Sequence, residues 1–175
     1  MTANYSSLTD LSHAQSSTLS LPMKWRTFER EVDQILGRLR DAHIRLTLVA
    51  ITVPQFLPQS SALQQSSILT ALTEAVRMSV PLTDPVGLLA GGSVCALLLG
   101  ARPPGGLGDI MVVERLMRRV LLALSFRGDV GDIDHRALIA EAAHCWAGEV
   151  DNVQDLIDGL EPVVILSPPA RHIAS

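Results

Sequence analysis

Aromatic residues make up only 3% of this 175-residue chain, so its core has to be built from Leu, Ile, Val and Ala, without large stacking platforms. An excess of positive charge is also missing. Lys and Arg number 14 against 18 Asp and Glu, a net charge of -4, which gives no electrostatic footprint for a phosphate backbone. Nucleic acid is therefore not an expected partner. Cysteine is scarce too: Cys95 and Cys145 form no Cys-x-x-Cys pair, which argues against a disulfide framework and against a zinc knuckle. The first 23 residues contain no Lys or Arg and no continuous apolar run, unlike a signal peptide. A reducing, cytoplasmic setting is expected.

What the chain does have is apolar residues, 47% in all, enough for one sizeable core in one domain. The most apolar stretch runs without charge from residue 85 to 101, just under the length that spans a bilayer. Pro85, Gly87, Gly91, Gly92 and Gly100 cut it into short pieces, which fits a folded hairpin rather than a membrane-inserted helix. Gly91-Gly92 between two strand-like runs supplies the positive φ angles that a tight turn needs. A buried β-hairpin with its tip at Gly91, Gly92, Ser93, Val94 and Cys95 is thus expected.

Residues 1–22 are Ser/Thr-rich and non-periodic, and read as a disordered tail; residues 167–175 read as a frayed end. Between them lies the domain, 23–166. Its first element, within 24–43, carries Trp25, Phe28, Val32, Ile35 and Leu39 at alternating steps of three and four, an amphipathic helix. Two heptads of this seam suit either weak self-association or packing on the chain's own domain. Ile44–Val53 is β-branched and predicts a central strand, and residues 67–78 a helix capped by Ser66 or Ser67. After the hairpin, residues 110–119 predict a helix. Residues 120–126 fit helix or strand equally, Arg136–Ala147 a helix, Val153–Leu160 a short helix, and Val163–Leu166 a strand.

Other loops offer weaker chemistry. Gly105-Gly-Leu-Gly-Asp109 lacks the Gly-Lys-Ser/Thr of a P-loop, so Asp109 reads as a helix cap. Asp129, Asp132, Asp134 and His135 share a loop without the ligand spacing of an EF-hand, which leaves a solvated turn. His144 and Cys145 are adjacent on the expected helix and diverge, so they make a poor dyad. There is no Gly-x-Ser-x-Gly elbow.

Helix, central strand, helix, Gly-Gly hairpin, helix, and further elements in that order resemble the GGDEF domains of diguanylate cyclases over about residues 24–147. The resemblance implies an α/β, α+β sandwich fold, with a central mixed sheet, flanking helices and the amphipathic helix at its N-terminus. It also implies metal-assisted attack of a 3′ hydroxyl on a nucleotide phosphate, the cations held by carboxylates from the first strand and the signature. This chain departs there. Where the family has an acid, the first strand ends Ala50-Ile51-Thr52, and the signature acids are replaced by Ser93 and Val94. The inhibitory Arg-x-x-Asp is not reproduced: Asp84 stands near its acid, but Pro81 occupies the arginine position. The expectation is a degenerate, non-catalytic signalling domain with no cofactor or metal, acting through a protein partner or self-association. The alternatives are a sensor that binds a guanine nucleotide or cyclic di-GMP, and an unrelated α/β enzyme.

Overall fold

The structure, a computed structural model, describes residues 24–53, 62–89, 92–100, 106–127 and 138–163. Helix α1 spans Trp25–Leu39, strand β1 Arg45–Thr52, helix α2 Ala62–Ser79, strand β2 Val86–Leu88 and strand β3 Val94–Gly100. Helix α3 follows over Gly106–Ser125, then strand β4 (Ile139–Trp146), helix α4 (Val153–Asp158) and strand β5 (Glu161–Val163). The sheet has the order β2-β3-β1-β4-β5.

Every pairing in it is antiparallel, so the α+β fold stands as expected while the sheet is not mixed. The hairpin is the reason. It turns β3 back into the gap between β2 and β1, so that β1 and β2 run the same way without touching, a split βαβ arrangement.

Side chains alternate across the central strand, and both of its faces are covered. Val49 and Ile51 face α2 and α3, in a cluster with Leu72, Val76, Val113 and Met117. Leu46 and Leu48 face α1 and α4, packed with Phe28, Val32, Leu36, Val153 and Leu156. A strand buried on both sides needs an unbroken apolar run, which is why the alternation at the start of β1 fades along it.

The stripe on α1 points into this second cluster. Phe28 and Val32 are wholly buried, Leu36 completes the row, and Trp25, Ile35 and Leu39 pack half-buried at its margin. The five residues expected to serve self-association are therefore engaged by the chain's own sheet. Opposite Phe28 sits Gly87 of β2, where an added Cβ would lie 2.6 Å from the Phe28 Cβ. Helix and edge strand approach this closely because the strand carries no side chain there.

The largest correction concerns Arg136–Ala147, read as a helix and found, over Ile139–Trp146, to be β4. Alanine favours helices, and Leu138, Ile139, Ala142, Ala143 and Trp146 mimic a helical stripe. Tertiary pairing overrides this: all eight residues of β4 register against β1, and its far edge accepts β5. Small side chains suit a strand roofed on both faces, with Ala140 and Ala142 on one and Ala143 and Cys145 on the other.

Three boundaries also move. Residues 120–125 continue α3, whose Val120 and Leu124 stay on the buried side. Helix α2 begins at Ala62, so Ser66 and Ser67 lie inside it and cap nothing; the Ser66 carbonyl accepts from the Thr70 hydroxyl at 2.8 Å. Strand β5 starts at Glu161, ahead of the expected Val163–Leu166, of which residues 164–166 lie outside the described residues. So do both expected tails and the Gly128–His135 segment. No described helix is long and apolar enough to cross a membrane.

Candidate functional site: the hairpin tip and the neighbouring groove

The end of β1 and the start of β3 meet beside the hairpin tip. Ala50 pairs with Cys95 and Ile51 with Val94. The Leu89 N–H donates to the Ser93 carbonyl at 2.9 Å, and the Gly92 N–H to the Leu89 carbonyl at 3.3 Å. Gly92 takes φ +88°, the left-handed region that suits glycine. Gly91 lies outside the described residues.

One register step beyond the last pair, Thr52 and Ser93 come together, and their hydroxyls share a hydrogen bond of 2.6 Å. Both side chains are half-buried. They fall on the α1 side of the sheet, the side of Ala50 and Cys95. Sequence reasoning singled out each residue separately, and the strand register makes them partners.

Divalent cations such as magnesium take hard oxygen ligands, with carboxylates supplying the charge. The donors at this tip are two neutral hydroxyls already bonded to each other, while Ala50 is 1% exposed and Val94 and Cys95 are fully buried. These residues do not fit a metal of that kind. Among the described residues no group of three or more His, Cys, Asp or Glu side chains could hold a metal ion. One carboxylate was missed: Glu141, assigned to a helix from the sequence, sits in β4 directly across from Ala50. Nothing in the sequence alone could place it there.

The Cys95 thiol donates to the Gly87 carbonyl at 3.3 Å. Burial pushes its pKa up to about 12, and burial followed by the nearby Glu149 charge pushes Cys145 up to about 11. At pH 8 such thiols hold roughly one thiolate in ten thousand at Cys95 and about one in a thousand at Cys145. The folded protein is therefore expected to leave both thiols unmodified by Ellman's reagent at pH 8, with both reacting once denaturant is added. Fast reaction of either in the native state would contradict the packing.

His144 and Cys145 belong to a strand and point to opposite faces, so they form no dyad. The His144 Nδ1 shares a hydrogen bond of 3.0 Å with the Thr47 hydroxyl. Asp109 is not a cap. It lies within the first turn of α3, and its carboxylate accepts from Arg45 at 2.7 Å, an ion pair largely shielded from solvent. That hydrogen bond raises the Arg45 pKa, and the guanidinium also lies over Trp146, 5.4 Å from the ring centre. The pair pins the start of α3 to the paired ends of β1 and β4.

Asp84 is 3% exposed, and its carboxylate accepts from the Leu99 N–H at 3.4 Å. The arginine that serves this turn is Arg77, seven residues earlier. It donates to the Asp84 carbonyl at 2.6 Å, to the Val80 carbonyl at 3.4 Å and to the Pro81 carbonyl. A search for Arg-x-x-Asp passes over it because helix geometry, not spacing along the chain, brings it there. Beside this turn opens a groove of about 530 Å³ between the C-terminal end of α2 and the outer side of α3. Asp84, Leu98 and Val112 contribute to its lining, together with Met111, Arg115 and Arg119 of α3.

No protein-family model matches the sequence, and no curated protein matches it. Solved structures do match. A truncated form of PA1120 (TpbB or YfiN) from Pseudomonas aeruginosa, comprising only its GGDEF domain, aligns with 81% of this chain and 81% of its own, at 15% identity and TM-score 0.54. A second structure of the GGDEF domain of the same protein aligns with 79% of this chain and 84% of its own, at 16% identity and TM-score 0.55. With a split βαβ core, a Gly-Gly hairpin and helices on both faces of an antiparallel sheet, the chain has the fold of a GGDEF domain.

Proposed function

We propose that this chain is a GGDEF-like signalling domain that performs no cyclisation and acts by contact with a protein partner. The carrying observation is the Thr52–Ser93 hydroxyl pair of 2.6 Å. It occupies the junction of first strand and hairpin, where the resemblance implies charged metal ligands. Hydroxyls are weak neutral donors, and Glu141 across from Ala50 is a single carboxylate, so most of the phosphate charge that develops during transfer goes uncompensated. The apolar framework around the tip is intact, as expected for a domain kept for its shape.

Purified protein incubated with GTP and magnesium or manganese is expected to form no cyclic dinucleotide, read by chromatography of the nucleotide pool. Product above the background of a heat-denatured control would overturn the reading.

The groove favours a second reading, a sensor. Arg115 and Arg119 on its wall would attract phosphates, and its volume lies within the range of small-molecule pockets. Calorimetry with GTP and with cyclic di-GMP separates the two: saturable binding favours the sensor, and silence with both leaves the contact module.

A further inference from the structure

We infer that the outer face of α3, with the groove beside it, docks an acidic amphipathic helix of a partner protein. The inference rests on the contact-module reading and names the surface and the chemistry of the contact. Helix α3 buries Val113, Leu116, Met117, Val120 and Leu124 against the sheet and α2. Its opposite side is not simply polar. Met111, Arg115, Arg118, Arg119 and Leu122 fall within about 100° of the helix circumference at 100° per residue, and Phe126 follows directly after the last residue of α3.

Three of these are exposed apolar side chains: Met111 at 49%, Leu122 at 58% and Phe126 at 81%. Met78 and Leu82, next in the chain to the groove-lining Ser79 and Pro81, are exposed as well, at 64% and 92%. Large apolar side chains gathered on one helix face mark a contact surface more than scattered ones do. From Met111 to Phe126, the residue just past the end of α3, this face covers about 22 Å at 1.5 Å per residue, the reach of a four-turn helix lying alongside. This is the helix-in-groove mode, with apolar anchors on one face of the incoming helix.

Charge selects the partner. The whole chain carries -4, yet this face presents three arginines. Arg118 is paired with Glu114 at 2.5 Å in solvent, whereas among the described residues no carboxylate forms an ion pair with Arg115 or Arg119. Arg119 instead donates to the Ser79 carbonyl at 3.4 Å, which holds it at the groove wall. A partner with carboxylates flanking its apolar anchors would complement both arginines, steering the encounter and fixing the register. An anionic bilayer fits less well, since the arginines border a concavity rather than a flat or protruding surface.

The test uses the full chain and a synthetic helical peptide of about 15 residues, matched to the stripe length. The peptide carries leucines on one face flanked by glutamates, and a counterpart carries lysine at every glutamate position. Fluorescence anisotropy at low salt is expected to show the glutamate peptide binding roughly tenfold or more tighter than the lysine peptide. The R115E/R119E variant should reverse that preference, and Arg115→Gln with Arg119→Gln should abolish it; both sites are exposed, and thermal melts report whether each variant is folded. Binding to neither peptide, an equal affinity for both, or a preference untouched by charge reversal would overturn the proposal. So would recruitment to phosphatidylserine vesicles, or binding of cyclic di-GMP alone, in place of the glutamate peptide. GTP turnover tests the underlying reading separately, because a folded chain that makes no product and binds no peptide fails only here.

Discussion

Phe28→Ala should cost about 3–5 kcal/mol of stability, the range for removing a large buried aromatic side chain. Its ring is fully buried among Val32, Leu36, Leu46, Leu48, Cys95 and Leu97, and Trp25 stacks at its margin with ring centres 6.0 Å apart. Relaxation cannot easily refill the space. On one side stands Gly87, which has no side chain to move inward, and on the other the backbone of a strand paired on both edges. Helix α1 has no side-chain hydrogen bond at its N-cap, Lys24, so burial of its stripe holds it in place. Amide exchange in α1 should accordingly speed up before exchange in β1 does. A denaturation midpoint moved by less than about 1 kcal/mol equivalent would show that the helix is held by something other than this packing.

Gly148→Ala should cost about 2–4 kcal/mol, from backbone strain and overlap together. Gly148 sits at φ +93° in the turn after β4, where the Glu149 N–H donates to the Trp146 carbonyl at 3.0 Å. A methyl group there would lie 2.5 Å from the Arg40 carbonyl oxygen, a backbone atom at the C-cap of α1 that cannot swing aside. The turn would have to move away from the helix, loosening the Ala147 N–H bond of 2.8 Å to Ile44. Urea unfolding with an unchanged slope and a lowered midpoint is the expected signature. A midpoint equal to that of the parent chain would mean that the turn accommodates the methyl group.

Much of the fold was legible where one period dominates. Helix α1 shows its stripe at steps of three and four, β1 its β-branched run, and the hairpin its paired glycines. Residues 139–146 were not legible, because Ala-Glu-Ala-Ala satisfies both a helix and a thin strand, and only pairing with β1 decides between them. The ambiguity at 120–125 had the same origin: a short apolar run carries no period of its own until its neighbours define an inside.

The site divides in a similar way. Gly92, Ser93, Ala50 and Thr52 could be read as positions that lack carboxylates, since residue type is a property of the chain alone. Glu141 facing Ala50, Arg77 gripping the turn at Asp84, the Arg45–Asp109 ion pair and the groove beside α3 could not. Each joins residues from different elements, so each depends on strand register and helix placement.

By itself, then, the sequence determined which segments must hide an apolar face and which chemical groups are absent from the hairpin tip. Only the tertiary structure decided that Thr52 and Ser93 bond to each other, that the α1 stripe turns inward, and that arginines and exposed apolar side chains share one side of α3. The physical reason is that burial preferences are local and additive along the chain, while contacts between side chains follow from long-range pairing that no local period encodes.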